Sequence, residues 1–311
     1  MAKLSTTAAL VSSIGCVRPN NEDNFFFQGD YMKLDEMNAG AHLVQSFTDS
    51  RQLYAVFDGV GGEYNGERAA YLAAHVMFSY APAILGKKPV RAIQRYARAA
   101  TQSVHADSER AGVPRAAEGS TMAMVCLNHK VAHFANVGDS RVYLFRSGSL
   151  HQMTADHTEV YTMYREGMLT SEQMRKHTRG NMIDRYIGMD PARLPDNYVY
   201  TISARLCRGD RILLCSDGLS DLLPASLIAQ LLASEPDPDQ AVVHLVSTAL
   251  ELGGKDNTTA ILIDVTDQSL PKPPEVQRMR RDDDMTTHLV SEDGVTAPAD
   301  PAGPKVEFSR Q

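Results

Sequence analysis

Four short runs decide the fold: Thr121-Met122-Ala123-Met124-Val125-Cys126-Leu127, Val131-Ala132-His133-Phe134-Ala135-Asn136-Val137, Arg141-Val142-Tyr143-Leu144-Phe145-Arg146 and Ser149-Leu150-His151-Gln152-Met153-Thr154. They are separated only by Asn128-His129-Lys130, Gly138-Asp139-Ser140 and Ser147-Gly148. Connections this short suit antiparallel neighbours, because a parallel pair needs a crossover of about a dozen residues or more. An antiparallel meander is therefore expected over 121–154. Upstream, Ala69, Leu72, Ala73, Val76, Met77 and Tyr80 recur at helical spacing and Pro82 closes the segment. A second helix opens near Pro89, carries Ile93, Ala97, Ala100 and Val104 on one face, and ends near Gly112. Downstream, Leu227, Ile228, Leu231 and Leu232, then Val242, Leu245, Val246, Ala249 and Leu250, predict two more amphipathic helices. The runs 4–14, 53–57, 198–203, 211–216 and 258–265 are expected strands, and 31–51 reads as a strand remnant plus an irregular loop. Meanders and covering helices together give an α+β chain.

Composition narrows what such a chain can do. With 43% hydrophobic residues in 311, it has the means to bury a substantial core. A net charge of −7 is no basic footprint, so nucleic acid is excluded as a partner. Cys16, Cys126, Cys207 and Cys215 lie far apart without a Cys-x-x-Cys pair, which suggests buried thiols in a reducing compartment rather than a zinc site or disulfides. Residues 4–14 are too rich in Ser and Thr for an export signal, and no run approaches the roughly 18 apolar residues of a membrane span. A cytoplasmic location follows as the expectation. From 267 to 311 the chain turns to Pro, Asp, Thr and Ala without periodicity and is expected to be disordered.

The chemistry gathers at strand ends. Leu53-Tyr54-Ala55-Val56-Phe57 runs into Asp58-Gly59-Val60-Gly61-Gly62, and Arg211-Ile212-Leu213-Leu214-Cys215-Ser216 runs into Asp217-Gly218. One Asp-Gly is an ordinary tight turn. Two of them after apolar runs lift two carboxylates out of a sheet and leave adjacent backbone free to approach a ligand. The polar cluster Arg18-Pro19-Asn20-Asn21-Glu22-Asp23-Asn24 adds a guanidinium suited to phosphate, and acids suited to a cation. Asp139 sits in a tight connection whose ordinary role is to satisfy its own turn, and Asp156-His157 would ordinarily be a helix cap with a neighbour. His75 and His105 lie on helices without a ligand partner at suitable spacing.

Taken in order, Arg18 to Asn24, Asp58 to Gly62, Gly119-Ser120-Thr121, Asn136 to Arg141, Thr154 to His157, Ser216 to Leu219 and Gly254 to Thr259 resemble the metal-dependent protein serine/threonine phosphatases of type 2C in their compact bacterial form. The resemblance runs to about Val265. It implies two packed antiparallel β-sheets flanked by helices, an α-β-β-α sandwich, as one catalytic domain over 1–266 with a flap at about 159–180. It also implies metal-dependent hydrolysis of phosphoserine and phosphothreonine in proteins. On that pattern Asp58 would bridge two divalent cations, Mn²⁺ or Mg²⁺, with the carbonyl of Gly59 on one of them and Asp217 and Asp256 on the other. Glu22 would hold a water beside a cation, Arg18 would bind the phosphate, and Asp139 with Asp217 matches a site for a third ion. Two cations about 4 Å apart lower the pKa of a shared water enough for it to attack phosphorus in line. Val60 departs from the animal enzymes, which carry a histidine there, so the leaving group's proton must come from elsewhere.

Two other readings stay open on sequence grounds: a catalytically silent member that binds phosphoproteins, and a hydrolase of another phosphate ester. The implied setting is opposition to a serine/threonine kinase. In the tail, Thr286 and Thr287 follow Asp282-Asp283-Asp284-Met285 and are expected kinase targets resembling the peptides that forkhead-associated domains read.

Overall fold

The computed structural model describes residues 3–61, 66–112, 118–170, 173–174, 177 and 182–273. In chain order the elements are β1 (Thr6–Ser13), β2 (Asp23–Phe27), β3 (Ala41–Phe47), β4 (Arg51–Val60), α1 (Gly66–Ile84), α2 (Pro89–Ala111), β5 (Gly119–Ser120), β6 (Met122–Asn128), β7 (Val131–Val137), β8 (Arg141–Arg146), β9 (Ser149–Gln152), α3 (Glu159–Arg165), β10 (Tyr200–Arg205), β11 (Arg211–Cys215), the single turn α4 (Asp217–Ser220), α5 (Ala225–Ser234), α6 (Pro238–Glu251) and β12 (Thr258–Val265). The strands form two sheets, one ordered β3-β1-β12-β11-β8-β9 and the other β10-β7-β6-β4-β2 with β5 against the end of β4. Helices α1 and α2 cover the second sheet, and α6 lies across β1 and β12 of the first. The result is the four-layer α-β-β-α sandwich.

Burial explains the sequence patterns. Gln52 to Phe57 of β4 are all buried, since one face meets the other sheet and the opposite face meets α1; an uninterrupted apolar run suits such a strand. Ile93, Ala97, Ala100 and Val104 of α2 are fully buried, as the spacing predicts. One apolar cluster, including Leu10, Phe26, Tyr54, Phe57, Met77 and Phe134, fills the space between the sheets and under α1 and α2. A second, with Leu213, Leu231, Leu245 and Leu262, lies beneath α5 and α6.

Several expectations change. The four runs at 121–154 are strands, yet they are not one meander: β6 and β7 belong to one sheet, β8 and β9 to the other. The turn 138–140 therefore hands the chain across the sandwich and puts Asp139 at its end. Residues 41–47 are a full edge strand rather than a remnant; most of them are partly or fully exposed, which erases the alternation expected of a half-buried strand. Helix α1 continues through Pro82 to Ile84, because a proline in the last turn removes one hydrogen bond without breaking the preceding ones. Cys16 is exposed, unlike the three buried thiols, because it lies in the turn after β1. Residues 267–271, assigned to the tail from composition, are packed: Leu270 is 5% exposed within the core, and Arg208 donates its N–H to Pro271 O at 2.9 Å. Residues 274–311 lie outside the described residues.

The polar end of the sandwich depends on backbone proximity. A Cβ at Gly218 would stand 2.0 Å from Asn257 O, and one at Gly59 would stand 2.3 Å from Gly66 O and 2.6 Å from Glu22 O. Only a residue without a side chain fits either place. Gly218→Ala is accordingly expected to lower stability by at least about 1–3 kcal/mol, the usual range for overpacking. Urea unfolding measures it, and a midpoint equal to that of the wild type would show that the two loops can part without loss.

Candidate metal centre

The acidic residues come from five separate places in the chain and reach one end of the sandwich. Asp58 lies near the end of β4, directly opposite Asp23 of β2. Its N–H donates to Thr121 Oγ1 at 3.1 Å, and the N–H of Thr121 donates back to Asp58 O at 2.8 Å. Thr121 Oγ1 also shares a 2.6 Å hydrogen bond with Ser140 Oγ, next to Asp139. Asp217 opens α4 just beyond β11. Its neighbour Ser216 donates Oγ–H to Asp23 Oδ2 at 2.8 Å and accepts the N–H of Thr259 at 2.9 Å, joining the two sheets through one hydroxyl. Asp256 precedes β12, where Asn257 Oδ1 accepts the N–H of Glu22 at 2.8 Å and Asn257 Nδ2 donates to Ile14 O and Asn20 O, each at 2.9 Å. Gly59 donates its N–H to Glu22 O at 3.1 Å. Arg18 Nη2 donates to Asp256 Oδ2 at 2.7 Å on the open side of the cleft, and that hydrogen bond raises the guanidinium's hold on its proton.

Burial sets the electrostatics, and the crowding of like charge adds to it. Burial raises the Asp58 carboxyl well above the usual carboxylate range, and the charges of Asp217, Asp23, Asp139 and Asp256 push it further. Asp217 is raised to about 7 by burial, then by Asp221 and Asp256, with a hydrogen bond to Asp58 pulling it back. Burial, then Asp217 and Asp156, raise Asp139, while Arg141 opposes them. Glu22 is raised by burial and then by Glu67, against Arg18. Asp23, fully buried, is raised to about 7 by burial despite hydrogen bonds from Ser216 and Thr259, and its Oδ1 has no hydrogen-bond partner among the described residues. In place of protons, divalent cations would satisfy such a cluster. Its donors are hard oxygens, carboxylates with a nearby backbone carbonyl at Gly59, which is the set that Mg²⁺ and Mn²⁺ prefer. Among the described residues no three acidic, histidine or cysteine side chains close into a ready cage. The chemistry of these residues nonetheless fits hard divalent ions.

All seven residues expected at the site, Arg18, Glu22, Asp58, Gly59, Asp139, Asp217 and Asp256, belong to this end of the fold. Sequence reasoning passed over the groups that hold them: Asp23 beyond its general acidity, Thr121, Ser216 and Asn257. Each stands inside a motif whose neighbouring acid drew the attention. Asp156 is no cap. Arg141 holds it through Nη2 at 2.6 Å and Nε at 3.1 Å, and Thr158 caps α3 by accepting the N–H of Tyr161. His157 is 5% exposed and accepts the N–H of Gly138 at Nδ1; burial, and secondarily Arg185, push its pKa down to about 3, so the ring stays neutral.

The sequence profile of the protein phosphatase 2C family matches residues 27–161, which include Asp58 and Asp139. The chain is 28% identical over 222 residues to the serine/threonine phosphatase Stp of Listeria welshimeri, covering 70% of this chain and 85% of that one. It is 32% identical over 261 residues to the serine/threonine protein phosphatase PstP of Mycobacterium tuberculosis, covering 82% of this chain and 44% of that one. Its fold is similar to the crystal structure of the PstP catalytic domain in complex with two manganese ions, with a TM-score of 0.68 at 28% identity, over 85% of this chain and all of that one. Among the described residues no helix is long and apolar enough to cross a membrane.

Carboxyls raised from 3.8 to about 7 bind protons more tightly in the folded than in the unfolded protein. Their contribution to stability is full at low pH and is lost as pH rises between those two values. The metal-free protein is therefore expected to lose thermal stability from this cluster between about pH 4 and pH 7, and to regain it at pH 7.5 on addition of Mn²⁺. Asp217→Asn should flatten the pH dependence and reduce the gain from Mn²⁺. Scanning calorimetry of both proteins would count against the assignment if Mn²⁺ stabilised them equally.

Proposed function

Because the chain belongs to the protein phosphatase 2C family, we propose that it removes phosphate from phosphoserine and phosphothreonine side chains of proteins, using the acidic cleft at the end of the sandwich. The observation that carries this reading is the convergence of Glu22, Asp58, Asp139, Asp217 and Asp256 beside the guanidinium of Arg18. Bound there, Mn²⁺ or Mg²⁺ would supply Lewis-acid charge that acidifies water and screens the phosphate. Asp58, the Gly59 carbonyl, Asp217 and Asp256 are the residues to hold a core pair, and Asp139 with Asp217 those to hold a third ion.

The chain's own groups divide the remaining work. Arg18 is steadied by Asp256 through one Nη, which leaves the rest of its planar fork to grip phosphate oxygens. Glu22 is partly exposed with a raised proton affinity, which suits a carboxylate that orients and deprotonates a water. The hydroxyls nearest the carboxylates are poor nucleophiles. Ser216 and Thr121 are both fully buried, the first donating to Asp23 and the second bonded to Ser140 and the Asp58 N–H. On this reading water is the attacking group, and no covalent phosphoenzyme is needed. Val60 has no proton to give the leaving alkoxide.

On the same reading the protein works in the cytoplasm against a serine/threonine kinase, and a forkhead-associated domain protein reads the tail once Thr286 or Thr287 is phosphorylated. The catalytic domain extends through the packed residues to about 271, and the flap begins with α3. Turnover with Mn²⁺ is expected on a phosphothreonine peptide, with far less on a phosphotyrosine peptide or small esters. Asp217→Asn or Asp256→Asn should abolish it, whereas full activity after metal removal in a chelator would overturn the reading. Phosphosite mapping of the Asp217→Asn enzyme after kinase treatment is expected to find phosphate on Thr286 or Thr287; a clean spectrum there, with other sites modified, would leave the tail as a spacer.

A further inference from the structure

The residues between β9 and α3 grip the turn that carries Asp139. His157 donates its backbone N–H to Gly138 O at 3.0 Å, and the N–H of Gly138 donates to His157 Nδ1 at 3.2 Å. Both backbone polar groups of the residue before Asp139 are thus held by one histidine. Asn136 reinforces the grip by donating Nδ2 to Gly138 O at 3.0 Å and to Ala155 O at 2.8 Å. On the far side of Asp139, Ser140 is joined through Thr121 to the backbone of Asp58.

The same histidine stands at the root of the flap. His157 O accepts the N–H of Asp184 at 2.8 Å, and Thr158 pairs with Ile183 in an isolated bridge. Four residues on, Ile187 exchanges both backbone hydrogen bonds with Ser120, at 2.9 and 2.7 Å, next to Thr121. Where the chain leaves for the flap and where it returns, it is tied to the turns of Asp139 and Asp58. The contacts to both roots are made by the backbone of residue 157, and the bond that needs a histidine ring is the one its Nδ1 accepts from Gly138.

We propose that His157 is a positioning residue that fixes the orientation of Asp139 through Gly138 and couples the roots of the flap to that carboxylate. This rests on Asp139 serving the phosphatase centre described above. Loss of the Nδ1 acceptor frees one end of the turn, and partners behind a metal ligand commonly alter affinity or rate by about 10- to 100-fold.

The test compares His157→Asn with His157→Gln in the full chain. The amide oxygen of Asn sits where Nδ1 sits and can still accept from Gly138, whereas that of Gln reaches past it; His157→Phe keeps the ring volume and loses the acceptor. The Gln and Phe variants are expected to lower kcat on a phosphothreonine peptide by about 10-fold or more with KM unchanged, to weaken the weakest Mn²⁺-binding step in calorimetry, and to speed amide exchange at Gly138. The Asn variant should retain most of the turnover and the slow exchange. On an Asp139→Ala background, His157→Gln should cause little further loss, because both changes act on the same group. Equal damage in the Asn and Gln variants, or losses that multiply in the double variant, would overturn the proposal. If His157→Phe does not fold, the two amides still decide it. A wild-type protein inert on the peptide would sink the phosphatase reading, while the calorimetry and exchange arms would still judge His157.

Discussion

Mutual repulsion among carboxylates is the constraint around which this protein is built. Left to themselves, the carboxylates of Asp23, Asp58, Asp139 and Asp217 would separate, and their proton affinities are raised first by burial and then by neighbouring negative charge. What keeps them near is a scaffold of neutral donors and close backbones. Ser216 spans the sheets to Asp23, Asn257 fastens the loops around Glu22, and Gly59 and Gly218 let main chain pass where a methyl group could not. Stability sacrificed at this end is offset by the apolar layers behind it, where the strands are buried on both faces. Buried carboxylates gathered in this way are ones that a bound divalent cation would stabilise.

The path of the chain serves the same end. Both crossings between the sheets that carry chemistry, the one after β1 with Arg18 and Glu22 and the one at 138–140 with Asp139, occur at the end where β4 and β11 stop and β12 begins. Strand ends on a rigid sandwich hold carboxylates more firmly than a free loop could. The described segments on either side of 159–182 are fastened to this framework: Thr158 meets Ile183, and Ile187 meets Ser120.

Much of this was legible before any coordinates. Periodicity located both long helices on the second sheet, because α2 has to bury one apolar face and its residues recur accordingly. The doubled Asp-Gly pattern singled out Asp58 and Asp217, the polar cluster Arg18 and Glu22, and the family resemblance of the ordered motifs added Gly59, Asp139 and Asp256. Edge strand β3 escaped notice because an exposed strand has little need of an apolar alternation. Leu270 escaped because one buried side chain in a polar stretch leaves no period to detect.

The sequence by itself determined the type of most elements and the chemistry at the strand ends, because both depend on residues that are neighbours along the chain. Tertiary structure alone decided that β7 and β8 lie in different sheets although three residues separate them, since a tight turn can close a hairpin or cross a sandwich, and only the packing of both faces selects between the two. It alone decided that Ser216 serves Asp23, 193 positions away, and that His157 holds Gly138. Hydrogen bonds of that kind require two distant segments to be brought within 3 Å or so of each other, and no local pattern encodes that distance.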